Sequence, residues 1–161
     1  VNPTSEPASS VPDLRVARVV DARDHPNADR LLLVRVDLGP DDRRQIVAGL
    51  VGHYDAEELD GKTIVVVANL KPATLRGEVS EGMLLAAEDE ETGHLGVLLA
   101  PGAEPGTSLT PPSAGAPAAE ITFEEFGEHE LMAGPQGVRL NGALLEGAEL
   151  RVDRGVSGRL R

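Results

Sequence analysis

From Leu14 onward the chain is a series of short apolar runs separated by turn residues. Leu14 to Ala22 (Leu-Arg-Val-Ala-Arg-Val-Val-Asp-Ala) predicts a strand with a partly exposed face. His25-Pro26-Asn27-Ala28-Asp29 is turn chemistry, because Pro sets φ while Asn and Asp bond their own backbone. Leu31 to Leu38 alternates from Leu33 onward, the period of a strand. Gly39-Pro40-Asp41-Asp42 then closes a hairpin into Arg43–Ala48. Ile64–Asn69, Met83–Ala87 and Leu95–Leu99 read as further strands. Only Asp55–Leu59 reads as helix, a single turn whose acidic start suits the positive end of the helix dipole.

Many short strands, tight turns and one short helix imply an all-β barrel or sandwich. A five-stranded Greek-key barrel of the OB type fits, with the helix between the third and fourth strands. Residues 1–12, rich in Ser and Pro, read as a disordered linker, and 13–112 as the barrel. Pro101–Pro117 is rich in Pro, Gly, Ala and Ser and marks a second linker. Within 113–161 the runs Ile121-Thr122-Phe123, Val138-Arg139-Leu140 and Glu149-Leu150-Arg151-Val152 read as strands of a small β-rich extension. An extension of that size is too small to be stable alone and is expected to dock on the barrel.

Composition narrows the function. The 161 residues include no Cys, which excludes a disulfide framework and thiolate chemistry and suits the cytoplasm. No run of eighteen or more apolar residues suggests a membrane span, and the N-terminus lacks the apolar core of a secretory signal. The opening on Val1 leaves free-standing and C-terminal placements both open. The formal net charge is -12, from 15 basic and 27 acidic residues. Residues 13–112 carry -8 and 113–161 carry -3, so no segment is basic overall and any polyanion must be held by a local patch.

One such patch is written into Ile64–Ala87, two apolar strands joined by a polar loop with Lys71 and Arg76. Pro72 stiffens the loop, while Gly77 and Gly82 allow close approach or positive φ. Lys71 and Arg76 offer a point charge and a planar fork for phosphate. Asn69 and Ser80 either donate to phosphate, sugar or base, or tie down the turn. Met83 either meets a base or lines the barrel, the latter being the commoner role. If their strand alternates, Arg43 and Arg44 point to opposite faces. Arg15, Arg18 and Arg30 either extend a groove or pair with Asp13, Asp21 and Asp29. His25 suits a structural turn better than a ligand role. Aromatic residues number three, Tyr54, Phe123 and Phe126, and none falls on an expected binding strand. This points away from a single-strand reader and toward folded RNA held through backbone and shape.

Catalysis finds no support. Gly61-Lys62-Thr63 has Ala56 where a phosphate-binding loop needs glycine. His25, His53, His94 and His129 lack ligand spacing, so no metal or cofactor is expected, and Glu88-Asp89-Glu90-Glu91 reads as a solvated hairpin end.

Three segments carry a resemblance: His25-Pro26-Asn27-Ala28-Asp29-Arg30-Leu31, Gln45-Ile46-Val47-Ala48-Gly49-Leu50, and Ala68-Asn69-Leu70-Lys71-Pro72 with Arg76-Gly77 and Ser80-Glu81-Gly82-Met83. Together they resemble the tRNA-binding domain of the endothelial monocyte-activating polypeptide type, in register from about Asp13 to Thr110. That OB-fold module occurs alone and appended to methionyl- and tyrosyl-tRNA synthetases. The resemblance implies a tRNA-binding, non-catalytic role beside such a synthetase, with Arg30, Asn69, Lys71, Arg76, Ser80 and Met83 as contacts. Arg30 stands where the family usually has Lys. Residues 113–161 are similar to the extra C-terminal domain of the cytokine-like members, which implies a monomer whose extension covers a dimer surface. The rival implication is a protein–protein adaptor or cytokine-like signalling domain. For that role Arg15–Asp21 lies at the relevant segment, with Ala17 in place of the usual Gly.

Overall fold

The computed structural model describes residues 10–161, so most of the expected 1–12 linker lies outside the described residues. The described end of that segment is tied down: Val11 O accepts from Asn69 Nδ2 at 3.0 Å and from Ala118 N at 3.1 Å.

The fold is mostly β and OB-like. Strand β1 (Leu14–Asp24) runs antiparallel to β2 (Leu32–Asp37) on one side and to β4 (Thr63–Val67) on the other. Strand β3 (Arg43–Ala48) pairs with β2. The helix α1 (Ala56–Leu59) falls between β3 and β4, as the sequence predicts. Its start is fastened by Glu58, whose Oε1 accepts from Asp55 N at 2.9 Å. The run read as one strand over Met83–Ala87 divides into β7 (Met83–Leu84), which pairs with β4, and β8 (Ala86–Glu88), which pairs with β9 (Leu95–Leu99).

The segment read as a polar loop before β7 contains a hairpin, β5 (Ala73–Leu75) and β6 (Glu78–Ser80). Among the described residues no strand ladder joins β3 to this hairpin, so the sheet is open at β3 rather than closed as a barrel. Several hydrogen bonds span the seam. Glu81 N donates to Gln45 O at 2.8 Å, and Val47 N donates to the Ser80 hydroxyl at 2.9 Å. A side-chain oxygen thus replaces a ladder carbonyl where the chain turns from β6 into β7.

Beyond Leu109, the expected strand Ile121–Phe123 is instead a single bridge from Ile121 to Leu70, followed by helix α2 (Phe123–Gly127). Thr122 and Glu125 form a reciprocal cap: Glu125 N donates to Thr122 Oγ1 at 3.1 Å and Thr122 N to Glu125 Oε1 at 2.9 Å. That Thr-x-x-Glu signal outweighs the strand propensity of Ile-Thr-Phe. A second sheet follows, from β10 (Leu131–Gly134), β11 (Gly137–Leu140), β12 (Ala143–Leu144) and β14 (Gly158–Arg159), in the order β12-β11-β10-β14. Between β12 and β14, β13 (Arg151–Val152) leaves that sheet to pair with β9.

The core has two parts that share β1 and β4. Ala17, Val19, Ile64 and Val66 face the OB interior with Leu32, Val34, Ile46 and Leu99. Leu14, Val16, Val65 and Val67 face the opposite way, onto Ile121, Phe126, Leu131, Leu140 and Leu160. The Leu14–Ala17 part of β1 is therefore buried on both faces, while Arg18, Val20 and Asp21 leave the strand the partly exposed face that its pattern predicts. The C-terminal residues supply the second cover.

One junction locks this cover in place. Tyr54 donates its hydroxyl hydrogen to Asp153 Oδ2 at 2.9 Å and accepts from Val97 N at 3.1 Å. The Arg154 guanidinium lies 4.0 Å from the ring centroid and bonds Glu58 at 3.0 Å. Burial pushes the Tyr54 hydroxyl up to about 12, Val97 N opposes, and Asp153 adds to the rise. A raised value means that the stabilisation is complete below the unfolded value of about 10 and is lost as pH climbs from 10 to 12. Gly96 makes the close approach possible, since a Cβ there would lie 2.2 Å from Asp153 O. Gly96→Ala is expected to lower stability by about 1–3 kcal/mol and to lift β13 from β9. Tyr54 is the one tyrosine of the chain, so phenolate absorbance reads it directly. Its midpoint should fall from near 12 toward 10 in the variant, and sedimentation should show self-association through the uncovered face.

Candidate nucleic-acid interface

The hairpin turns on Leu75-Arg76-Gly77-Glu78, with φ of 54° at Arg76 and 90° at Gly77. Two successive left-handed residues make the turn whose twist matches the flanking strands. Glycine takes this conformation freely, whereas an arginine there costs about 1–2 kcal/mol. The exposed guanidinium thus stands at the tip of a rigid turn.

Three long-range contacts fix the hairpin. His25 is buried at 5% exposure, and its Nδ1 accepts from Asn27 N at 2.9 Å. Nε2 therefore carries the hydrogen and donates to Leu75 O at 3.0 Å, joining the β1–β2 turn to the hairpin. His25 is structural, as its turn setting implies. Gln45 Nε2 donates to Val79 O at 3.0 Å, and Ser80 supplies the third tie. Lys71 stands at the foot of the hairpin: its N donates to Ile121 O at 2.7 Å while its side chain is exposed.

Two of the expected contacts are spent inside the chain. Asn69, 8% exposed, accepts from Asp13 N at 2.8 Å and donates both amide hydrogens, to Val11 O at 3.0 Å and Ala118 O at 2.9 Å. Ser80, 6% exposed, accepts from Val47 N and donates to Gly82 O at 3.0 Å. Neither keeps a donor for a ligand, so their role is to tie down the turn. Met83 is half-buried and packs on the core, the lining position that the sequence also allows. Arg30, Lys71 and Arg76 are exposed and make no ion pair among the described residues.

The strand register shows further cations that sequence reasoning missed or left open. Across the outer face of β1, β2 and β3, one row runs Asp21–Arg35–Gln45 and the next Arg18–Asp37–Arg43. Arg18, Arg35 and Arg43 are exposed and free of ion pairs among the described residues, as is Arg23 further along β1. Arg35 and Arg43 line an open groove of about 610 Å³ with Val20, Asp21, Gln45, Val79 and Glu81. By contrast, Arg15 pairs with Asp13 at 2.9 Å. Arg44 pairs with Asp42 at 3.0 Å and also donates to the carbonyls of Ala68 and Glu81, so it belongs to the seam. Strand register sets Arg43 opposite Asp37 and Arg44 opposite Val36, yet both arginines border the groove.

Ser80→Ala leaves the buried Val47 N–H without its partner and is expected to cost about 1–3 kcal/mol. Denaturant unfolding should register that loss for Ser80→Ala and Asn69→Ala. If either variant kept full stability yet lost polyanion binding, the structural assignment would be wrong.

Residues 14–108 match the model of a family described as a putative tRNA binding domain. The chain is 58% identical over 79 residues to the methionine–tRNA ligase of Thermococcus kodakarensis, a stretch covering 49% of this chain and 10% of the ligase. The corresponding ligase of Methanocaldococcus jannaschii is 57% identical over 79 residues, covering 49% of this chain and 12% of the ligase. The chain thus matches only about a tenth of these relatives' length. Among solved structures, the C-terminal domain of Plasmodium vivax p43 superposes with a TM-score of 0.75 at 24% identity, covering 94% of this chain and 98% of that one, a likeness of fold. A MetRS-related protein from Pyrococcus horikoshii superposes with a TM-score of 0.53 at 30% identity, covering 67% of this chain and 86% of that one. With more than half of its length matched by the family model, this chain belongs to the tRNA-binding domain family.

Proposed function

We propose that this chain is a non-catalytic module that holds folded tRNA on the outer face of β1, β2 and β3, flanked by the β1–β2 turn and the hairpin. The observation that carries the reading is the gathering of exposed, unpaired cations there, in a chain whose net charge is -12. Arg18, Arg35 and Arg43 lie across the strands, Arg30 in the turn, and Lys71 and Arg76 at the foot and tip of the hairpin. Phosphates are the complementary ligand, and planar guanidinium forks on rigid strands suit their geometry. Asp21, Asp37, Glu78 and Glu81 border the same region, which keeps the contact weak and strongly salt-dependent.

A weak contact suffices for an accessory role. Likeness to part of two methionine–tRNA ligases supports action beside an aminoacyl-tRNA synthetase of that kind, in cis or in trans, in the cytoplasm. Tethering turns a second contact into an intramolecular one and raises the local tRNA concentration. We read 13–112 as the binding unit and 113–161 as a docked extension that stands in for a dimer partner over Leu14, Val16, Val65 and Val67. The self-association expected of Gly96→Ala tests that part, and a strictly monomeric variant with a released extension would count against it.

Unmodified tRNA should bind with a linear dependence of log K on log salt. The double variant Lys71→Ala, Arg76→Ala should weaken binding and reduce that slope by about 2, close to 0.9 per lost phosphate contact. An unchanged affinity and slope would remove these residues from the interface. Absence of tRNA binding even at low salt, with a synthetase co-purifying, would favour the adaptor role instead.

A further inference from the structure

Two of the three aromatic residues are core: Tyr54 is 3% exposed and Phe126 is 4%. Phe123 is different. At 63% it is the most exposed large apolar side chain among the described residues. The fold does not need it there, because Phe126 makes the buried contact of α2 and the Thr122–Glu125 cap holds the helix start.

Its place in the fold gives the ring a use. Ile121 bridges Leu70 in parallel and accepts from Lys71 N at 2.7 Å, so α2 begins beside the foot of the hairpin that carries Lys71. Phe123 thus follows by two residues the backbone contact to Lys71, and both side chains are exposed. Glu120 and Glu124 flank it in the chain, exposed and without ion pairs among the described residues. Carboxylates at that spot repel phosphate but leave the neutral face of a base unopposed, so the position selects base over backbone. Base–aromatic stacking tolerates any base, because each has a π face.

We propose that Phe123 is a stacking platform for one unpaired nucleobase of an RNA whose backbone passes Lys71, an inference that rests on the tRNA-binding reading above. The C-terminal extension then contributes a contact of its own to the RNA site. A folded tRNA offers unpaired nucleotides next to its helical body, so a shape reader with a single stacking position fits such a ligand.

The chain holds no tryptophan, so Phe123→Trp places its one indole at the tested position. Two probes separate the possibilities: an RNA stem with a single-stranded 3′ extension, and the same stem with a blunt end. Indole fluorescence of the Phe123→Trp variant should be quenched by the extended stem and not by the blunt one. Phe123→Ala should lose about five- to 150-fold in affinity for the extended stem, the range of one lost base stack, and keep its affinity for the blunt stem. Equal losses on both RNAs, or no quenching by the extended stem, would overturn the stacking subsite while leaving the binding face intact. Failure of the unaltered chain to bind either RNA would remove the underlying reading and the inference with it. Quenching by an arginine-rich peptide but by neither RNA would overturn it in favour of a basic protein segment.

Discussion

Strand β4 and the Leu14–Ala17 part of β1 are buried on both faces, and the rest of the architecture follows from that. A half-exposed strand needs one cover, but Ile-Val-Val-Val over 64–67 leaves no polar phase to face water. Ile64 and Val66 take the OB interior, so Val65 and Val67 demand a second apolar layer, which Ile121, Phe126, Leu131 and Leu140 provide. Docking that layer brings Asp153 onto β9, where only a glycine at 96 leaves room, and seals the Tyr54 hydroxyl between Val97 and Asp153. The same docking sets Ile121 against Lys71, fixing the foot of the hairpin. Packing of the C-terminal layer therefore also fixes the backbone of Lys71.

Charge follows the same division. The side of β1 and β4 away from the OB interior is spent on apolar contact, while the outer surface of β1, β2 and β3 stays open to water and carries Arg18, Arg35 and Arg43. Ion pairs occupy other arginines: Arg15 with Asp13, Arg44 with Asp42, Arg154 with Glu58. An acidic protein can hold a polyanion when its unpaired cations share one rigid surface, because screening at physiological salt limits the repulsion from carboxylates more than about 8 Å away. Net charge then matters less than which cations are already neutralised.

Most strands and the helix after β3 were legible because alternation and turn residues are local signals. The hairpin was not: Ala73, Leu75 and Val79 are its apolar residues and all are exposed, so no core pattern marks it. It stands through bonds to His25 and Gln45, which lie 50 and 34 residues away. At Ile121–Phe123 β propensity masked the Thr122–Glu125 cap. Asn69 and Ser80 read as plausible ligand contacts because an amide and a hydroxyl in a polar loop do not reveal whether their hydrogen bonds are already taken. Arg35 lay in plain alternation, but Leu33 on the same phase is also buried, so phase alone did not say which side of β2 faces solvent.

The central claim is that the unpaired arginines of the outer face hold the RNA. Phenylglyoxal modification of arginine, mapped by mass spectrometry with and without saturating tRNA, tests it directly. Bound tRNA should protect Arg18, Arg35, Arg43 and Arg76, with Arg139 and Arg151 of the C-terminal extension modified equally in both samples. Protection of Arg139 and Arg151, with Arg35 and Arg43 still reactive, would contradict it.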